Sequence, residues 1–465
     1  MVLFKHFRQF YLSRPYLKSI LLNLIGKKEE SLKLKEFVVL SCDELLKFSW
    51  FNFKYHFKLY CNFFKNYSKI KKWVHSQEFN QKYIQKNCPF PPLLNPENLH
   101  YQNVLGEVAW DLNLPMPKKA QFILITASFC AHTAMIRGLR KTNLSVMVDH
   151  RDIMFEHYAF NYTNMLENNP VAINLTIYGY ATNDYYHSLK KALFLLNSQT
   201  PVLFLMRDPV SRLKSSLNNR SCFDIKTITE NDSLNIFYTK KMRYQTDIHL
   251  SLGERIEISV SKGLFKFNEI IEHLKEFNFQ NFEFLDIESI QLNNIMQTFS
   301  FLSTKYHFNA PQSIEDLKYQ WSSYYSGFLP LNYIYKEVEF KLTENKRENL
   351  LELTEILSLN KTKLKENIYI YTEEQNKEFV LQHKEDLKEK IENLMLKIKE
   401  VSDNEEKNNL ITEKDLIEFF KNNPKYIQLL KPIFEKEVEL IQQHRPDIVA
   451  TWKHYLTFQN LCRKQ

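Results

Sequence analysis

Apolar residues in this chain fall into two patterns, short unbroken runs and helically spaced stripes. The runs are QFILITA (121–127), LSVMV (144–148), VAINLTIY (171–178), PVLFLM (201–206) and FEFLDI (282–287). Unbroken apolar runs of this length, bounded by polar turns, predict strands buried on both faces. The stretches between them carry helical spacing. They predict helices over Ala134–Lys141, Ile153–Leu166 and Asp184–Leu196, one running towards Leu217, and others over Phe265–Phe277 and Leu292–Leu302. Strands alternating with helices over 119–310 predict an α/β core built on a parallel sheet.

The flanks read differently. Residues 1–87 contain one proline, Pro15, and are read as helical and rich in aromatics. In Leu45–Tyr67, Phe48, Trp50, Phe51, Phe53, Phe57, Phe63 and Phe64 are interleaved with Lys54, Lys58 and Lys65, so apolar side chains cover more than one helical face. Such a helix is buried or lies against something apolar, a membrane interface included. Pro89, Pro91, Pro92, Pro96, Pro115 and Pro117 then mark 88–118 as a proline-rich wrapped linker, with one short helix near Val104–Leu112. Residues 311–465 are expected to be mainly helical. There Leu387, Ile391, Leu394, Ile398 and Val401 form a short heptad seam that suits packing on the chain's own body.

Composition narrows the function classes. Only 7 of the 465 residues are glycine. That argues against a glycine-rich phosphate loop or dinucleotide fingerprint. Cys42, Cys61, Cys88, Cys130, Cys222 and Cys462 show no CxxC spacing, so reduced cytoplasmic thiols are expected rather than a zinc ribbon or a disulfide framework. There is no apolar run of transmembrane length and no signal-peptide pattern at the start. The net charge is +8, yet residues 1–120 alone carry +10 and the remainder −2. An excess of this kind suits an anionic partner. Peripheral contact of 1–87 with the inner face of an anionic membrane, or with a polysaccharide, is one reading of this charge, and a solvated lysine-rich helical face is the other. No nucleic-acid module is recognised, so nucleic acid is not expected as a partner.

Ligands of open parallel sheets bind beyond the carboxyl ends of the strands. Three such ends carry chemistry here: the loop SFCAHTA (128–134), Asp149-His150, and Arg207. In PVLFLMRDPVSRLKSSLNNR (201–220) a strand delivers Arg207 to the sheet edge. Asp208 can cap the next helix, and Pro209 suits its first turn. Ser215 lies about two turns further on, and Arg212 sits beside them. A guanidinium with a serine hydroxyl grips a phosphate well. The alternative is a surface arginine ahead of an ordinary helix.

RDPVSRLKS (207–215) is similar to the element with which sulfotransferases, carbohydrate sulfotransferases especially, bind the 3′-phosphate of their donor. LKEF (274–277), FEFLDIESI (282–290) and FSFL (299–302) resemble further elements of that family, with Glu288 at the position of a turn glutamate. The resemblance covers about 119–310. It implies a sulfotransferase-like (P-loop-type) core, with Arg207 and Ser215 on the 3′-phosphate of 3′-phosphoadenosine 5′-phosphosulfate. CPFPPLLNPEN (88–98), EVAWDLNLPMP (107–117) and RDPVSRLK also resemble a family of uncharacterised bacterial proteins, some described as sugar transferases.

One loop departs from the sulfotransferase pattern Lys-x-Gly-Thr. With Thr133 aligned to its threonine, Cys130 replaces the lysine and His132 the glycine. Ser128, Thr133 and a helix N-terminus remain for an anion, with His132 as a source of positive charge. His150, beside Asp149 and near Asp152, is the first choice of base for an acceptor hydroxyl. Cys130, His132, His150 and His157 could be drawn as a metal site, but no spacing demands it, and no metal is expected. Two readings follow. The chain is a transferase moving a sulfuryl or sugar group from a nucleotide donor to a hydroxyl of a cell-surface glycan, or it is a non-catalytic nucleotide- or glycan-binding descendant of such an enzyme.

Overall fold

The computed structural model describes residue 66 and residues 68–147, 154–177, 183–218, 220–221, 227–234, 243–244, 250–317, 329–343, 349–359 and 368–464. Within these, four of the apolar runs form parallel strands: β1 (Phe122–Ala127), β2 (Ala172–Ile177), β3 (Val202–Met206) and β4 (Phe282–Asp286). Their order across the sheet is β2–β1–β3–β4. Every residue of β1 and β3 is buried, as a sheet covered on both faces requires.

The run 144–148 does not form a laddered strand in its described part. Ser145 makes a single parallel bridge to Val171, at the outer edge beyond β2. Two residues on, the carbonyl of Met147 accepts from the Asn174 side chain at 3.3 Å. A side chain of β2 therefore replaces the backbone donor a ladder would use.

Helices connect the strands: α1 (Gly106–Asp111) precedes β1, α2 (His132–Leu139) and α3 (Met154–Leu166) lie between β1 and β2, and α4 (Asn183–Leu195) links β2 to β3. After β3 come α5 (Pro209–Leu217), α6 (Leu252–Ser261) and α7 (Phe267–Glu276), and after β4 comes α8 (Ile295–Tyr306). The proline-rich stretch before β1 shares the sheet's core. Leu93, Leu94, Trp110, Leu112 and Leu114 are buried in it, and Tyr158 on α3 donates its hydroxyl to the Leu114 carbonyl at 2.7 Å. Gly106 is needed where α1 meets α3, because a Cβ there would lie 2.8 Å from the Ala159 carbonyl oxygen.

The region after 310 contains a second sheet that the helical expectation for it omitted. Strands β5 (Leu331–Tyr335), β6 (Val338–Thr343), β7 (Leu351–Glu352) and β8 (Tyr369–Thr372) are ordered β7–β8–β6–β5 and pair antiparallel. Residues Thr227–Thr229 join β5 in parallel at the edge. Helix α9 (Lys384–Asn409) turns the heptad seam onto this sheet. Leu387, Ile391, Leu394, Ile398 and Val401 are buried in a second core with Leu331, Tyr333, Phe340 and Leu342.

Three further helices, α10 (Glu413–Asn422), α11 (Pro424–His444) and α12 (Lys453–Cys462), return to the first core through Phe420, Leu430, Phe434, Ile441 and Phe458. The architecture is thus a mixed α/β protein with a parallel sheet, a separate antiparallel sheet and many helices.

Candidate functional site

The strand order fixes where a ligand can sit. From β1 the chain moves outward past β2's side, returns to β2, and then crosses to β3, from which it continues to β4. Connections leaving β1 and β3 therefore diverge. Neighbouring parallel strands with diverging connections leave a crevice beyond their carboxyl ends. The loop 128–131 and Arg207 flank that crevice.

The loop makes a tight turn, closed by the Cys130 amide on the Ala127 carbonyl at 3.2 Å. Phe129 (φ 68°) and Ala131 (φ 52°) are left-handed without being glycine. Each such residue costs about 1–2 kcal/mol, which the surroundings must offset. Two arginines do so. Arg207 Nη1 donates to the Phe129 carbonyl at 2.9 Å, and Arg212 Nε to the Ser128 carbonyl at 3.0 Å. Helix α2 begins immediately afterwards, and its N-cap, Ala131, supplies no side-chain acceptor. The first-turn N–H groups of an uncapped helix end favour an anion.

Arg207 is half-buried, and its Nε is buried with no hydrogen-bond partner among the described residues. Burial lowers its pKa, partly offset by negative groups nearby, Glu413 and Asp208 among them. A guanidinium is permanently charged in protein surroundings, so a buried donor left unmade is an unmet demand for an acceptor. Among the described residues Arg207 forms no salt bridge.

Arg212 is corrected by the structure. It was expected among the phosphate ligands, yet it is 3% exposed. Its guanidinium is ion-paired to Glu437 of α11, donates to the Leu264 carbonyl, and lies 5.2 and 5.3 Å from the Phe265 and Phe267 ring centres. Its donors are committed to the protein, so it acts on the loop and not on a ligand.

The remaining expected residues are dispersed. Ser215 is half-buried on the α5 face that also carries Lys214 and Asn218. Lys214 pairs with Glu413 at 3.1 Å, and Asn218 exchanges hydrogen bonds with the backbone of Ile411, so this face abuts the start of α10. Thr133 is exposed in the first turn of α2, and Ser128 is half-buried at the loop's start. His132 Nε2 stands 3.2 Å from the Asn174 side-chain nitrogen, a buried amide in β2. Asp149, His150 and Asp152 lie outside the described residues. Cys130 is fully buried, and burial pushes its thiol up, so it is an inert core residue. His157 is buried in α3. Among the described residues no group of three His, Cys, Asp or Glu could hold a metal.

Three buried carboxylates at this end of the sheet complete the site's frame. Asp208 caps α5 through the amides of Val210 (2.8 Å) and Ser211 (3.3 Å), and its second oxygen takes the amides of His454 and Tyr455, both 3.1 Å, at the start of α12. Asp286, at the end of β4, accepts from Trp452 Nε1. Glu437 accepts from Arg212 and from the Phe267 amide at 3.2 Å. Burial raises all three carboxyls, against the pull of these donors. Asp208 as a helix cap was legible. Glu437 was not singled out, although one signal was present: it stands in the apolar stripe Ile427, Leu430, Phe434, Val438 and Ile441, where a charge needs a buried partner.

A family model described as a protein of unknown function (DUF2972) matches residues 284–465. No curated protein and no solved structure matches the chain. The matched stretch begins within β4 and contains Asp286, Glu413, Glu437 and Trp452. Asp208, Arg212 and Lys214, which the same stretch grips, lie before it. The site therefore straddles the start of the matched region.

Proposed function

We propose that the chain is a nucleotide-dependent transferase with a sulfotransferase-like (P-loop-type) core, moving a sulfuryl or sugar group to a hydroxyl of a cell-surface glycan. One observation carries the reading: at the crevice where connections diverge, Arg207 offers a buried, unpartnered Nε beside a braced left-handed loop and an uncapped helix start. Arg207 would grip a phosphate of the donor, 3′-phosphoadenosine 5′-phosphosulfate or another nucleotide. Ser128, Thr133 and the first-turn amides of α2 would hold the leaving phosphate, and Ser215 would add a hydroxyl from α5. In the transfer the acceptor oxygen bonds to the moving group as that group's bond to the donor phosphate breaks. The acceptor proton would pass to His150, which Asp149 precedes in the sequence, and the phosphate keeps the electron pair. No resident metal enters this scheme.

The excess positive charge of residues 1–120 supports peripheral contact with an anionic cytoplasmic membrane face, though most of 1–87 lies outside the described residues. No helix among the described residues is long and apolar enough to cross a membrane. Liposome co-sedimentation should fall as salt rises; a soluble fraction indifferent to lipid rejects the contact.

A second reading, a nucleotide- or glycan-binding protein without turnover, is favoured by Cys130. It stands where the resembled loop has its lysine and is fully buried, so this position offers no cation. Thermal shift with adenosine 3′,5′-bisphosphate and with sugar nucleotides, on wild type and Arg207→Ala, tests both. A shift lost in Arg207→Ala is expected, and transfer of labelled sulfate or sugar to surface polysaccharide separates enzyme from binder. No shift with any nucleotide rejects the transferase and every nucleotide-binding form of the second reading, and leaves only a glycan binder.

A further inference from the structure

Two arginines donate to consecutive carbonyls of the loop 128–131, which holds two left-handed residues. Arg207 lies at the crevice. Arg212 is buried behind it, and a buried guanidinium is held in place by its counter-ion. That counter-ion, Glu437, comes from α11, more than two hundred residues later in the chain. Glu437 has its own anchor, the Phe267 amide, and the aromatic rings of Phe265 and Phe267 both lie against the guanidinium. Every group in the chain Phe267–Glu437–Arg212–Ser128 is thereby fixed in direction. Arg212 can turn its Nε to Ser128 only while its other two nitrogens are engaged by Glu437 and Leu264.

We propose that Glu437 is a positioning residue for the anion site, which through Arg212 sets the conformation of the Ser128–Ala131 loop. The proposal rests on the nucleotide reading for its function, but not for its geometry. It gives the matched C-terminal region a role at the crevice: α11 decides whether the loop presents its amides outward.

The stability of the pair and its aim can be separated. A buried ion pair replaced by apolar residues of similar volume generally keeps or improves stability, whereas removing one member leaves a buried charge unpaired. Arg212→Met combined with Glu437→Leu should therefore fold as wild type does, yet lose the hydrogen bond to Ser128. Amide hydrogen exchange of the full chain without ligand reads the loop directly. About tenfold faster exchange at 128–133 is expected in the double variant, with the rest of the first core unchanged, because one charge-assisted hydrogen bond is lost. Adenosine 3′,5′-bisphosphate affinity should fall by a similar factor. Glu437→Gln should loosen the loop as well, at a measurable loss of melting temperature.

Wild-type loop exchange in a folded double variant overturns the proposal, whatever the ligand does. Loosened exchange with no bisphosphate binding in any form leaves the positioning role standing and removes the nucleotide reading. Should the double variant fail to fold, Arg212→Lys, which keeps the charge but not the forked aim, carries the same test. Unchanged loop exchange in that variant overturns the proposal too.

Discussion

The two hydrophobic cores differ in what they bury besides hydrocarbon. Around the parallel sheet, Asp208, Arg212, Arg255, Asp286 and Glu437 are all under 9% exposed. Around the antiparallel sheet the buried polar side chains among the described residues are three threonines, Thr343, Thr354 and Thr372. Buried charges seldom add net stability over apolar packing. Four of them, Asp208, Arg212, Asp286 and Glu437, gather near the carboxyl ends of β3 and β4, where the proposed anion site stands. The second core needs only shape, and α9 supplies it with a heptad seam. The antiparallel sheet is thus held by shape alone, and the parallel sheet carries a frame of buried charged groups around β3 and β4.

The largest expected effect breaks the frame. Glu437→Gln should cost about 3–5 kcal/mol, since it strands a buried guanidinium, while the apolar double replacement at 212 and 437 should restore most of that. Denaturant midpoints measure both; equal damage from single and double variants would erase the contrast between the cores. Next, Asp208→Ala removes one carboxylate that caps two helices, and about 2 kcal/mol should be lost, roughly 1 per cap. Melting that stays at the wild-type value would show that α12 docks without it.

A pH experiment is subtler. Burial raises Asp208 and Asp286, so the folded chain holds these protons more tightly than the unfolded one. Their contribution to stability is complete below the ordinary carboxylate range and declines as pH rises through the folded-state values. Between roughly pH 4 and pH 7, Asp286→Asn, which keeps an acceptor for Trp452, should show a flatter loss of stability than wild type. A steeper loss in the variant would contradict the sign. The smallest effect belongs to the second core. The Thr354 hydroxyl is buried without a partner among the described residues, so Thr354→Val should be neutral or stabilising by up to ~1 kcal/mol. Clear destabilisation there would show that the second core also depends on polar contacts.

Much of the first core was legible because continuous apolar runs leave little choice: β1 to β4 and helices α2 to α5, α7 and α8 fall within a few residues of expectation, whereas α6 was not expected. The second sheet was missed for a local reason. Its hairpin turns at Lys336 (φ 46°) and Glu337 (φ 68°), a left-handed pair that normally announces itself with Asn-Gly, and this glycine-poor chain builds it from charged residues. The same scarcity hid the left-handed positions at the anion loop. They fall on Phe129 and Ala131, not on His132, where alignment had placed the missing glycine. Arg207 and Asp208 were readable because strand, edge and helix start are adjacent in sequence. The Arg212–Glu437 pair was not, since nothing local says which of many glutamates will be carried back to the sheet.

The central claim is that an anion binds between the 128–131 loop and Arg207, and hydrogen exchange of the full chain with and without saturating adenosine 3′,5′-bisphosphate addresses it most directly. The account predicts added protection at 128–134 and 207–217, abolished by Arg207→Ala, with the 331–343 hairpin unchanged. Protection confined to the antiparallel sheet, or protection at the loop that survives Arg207→Ala, would contradict it.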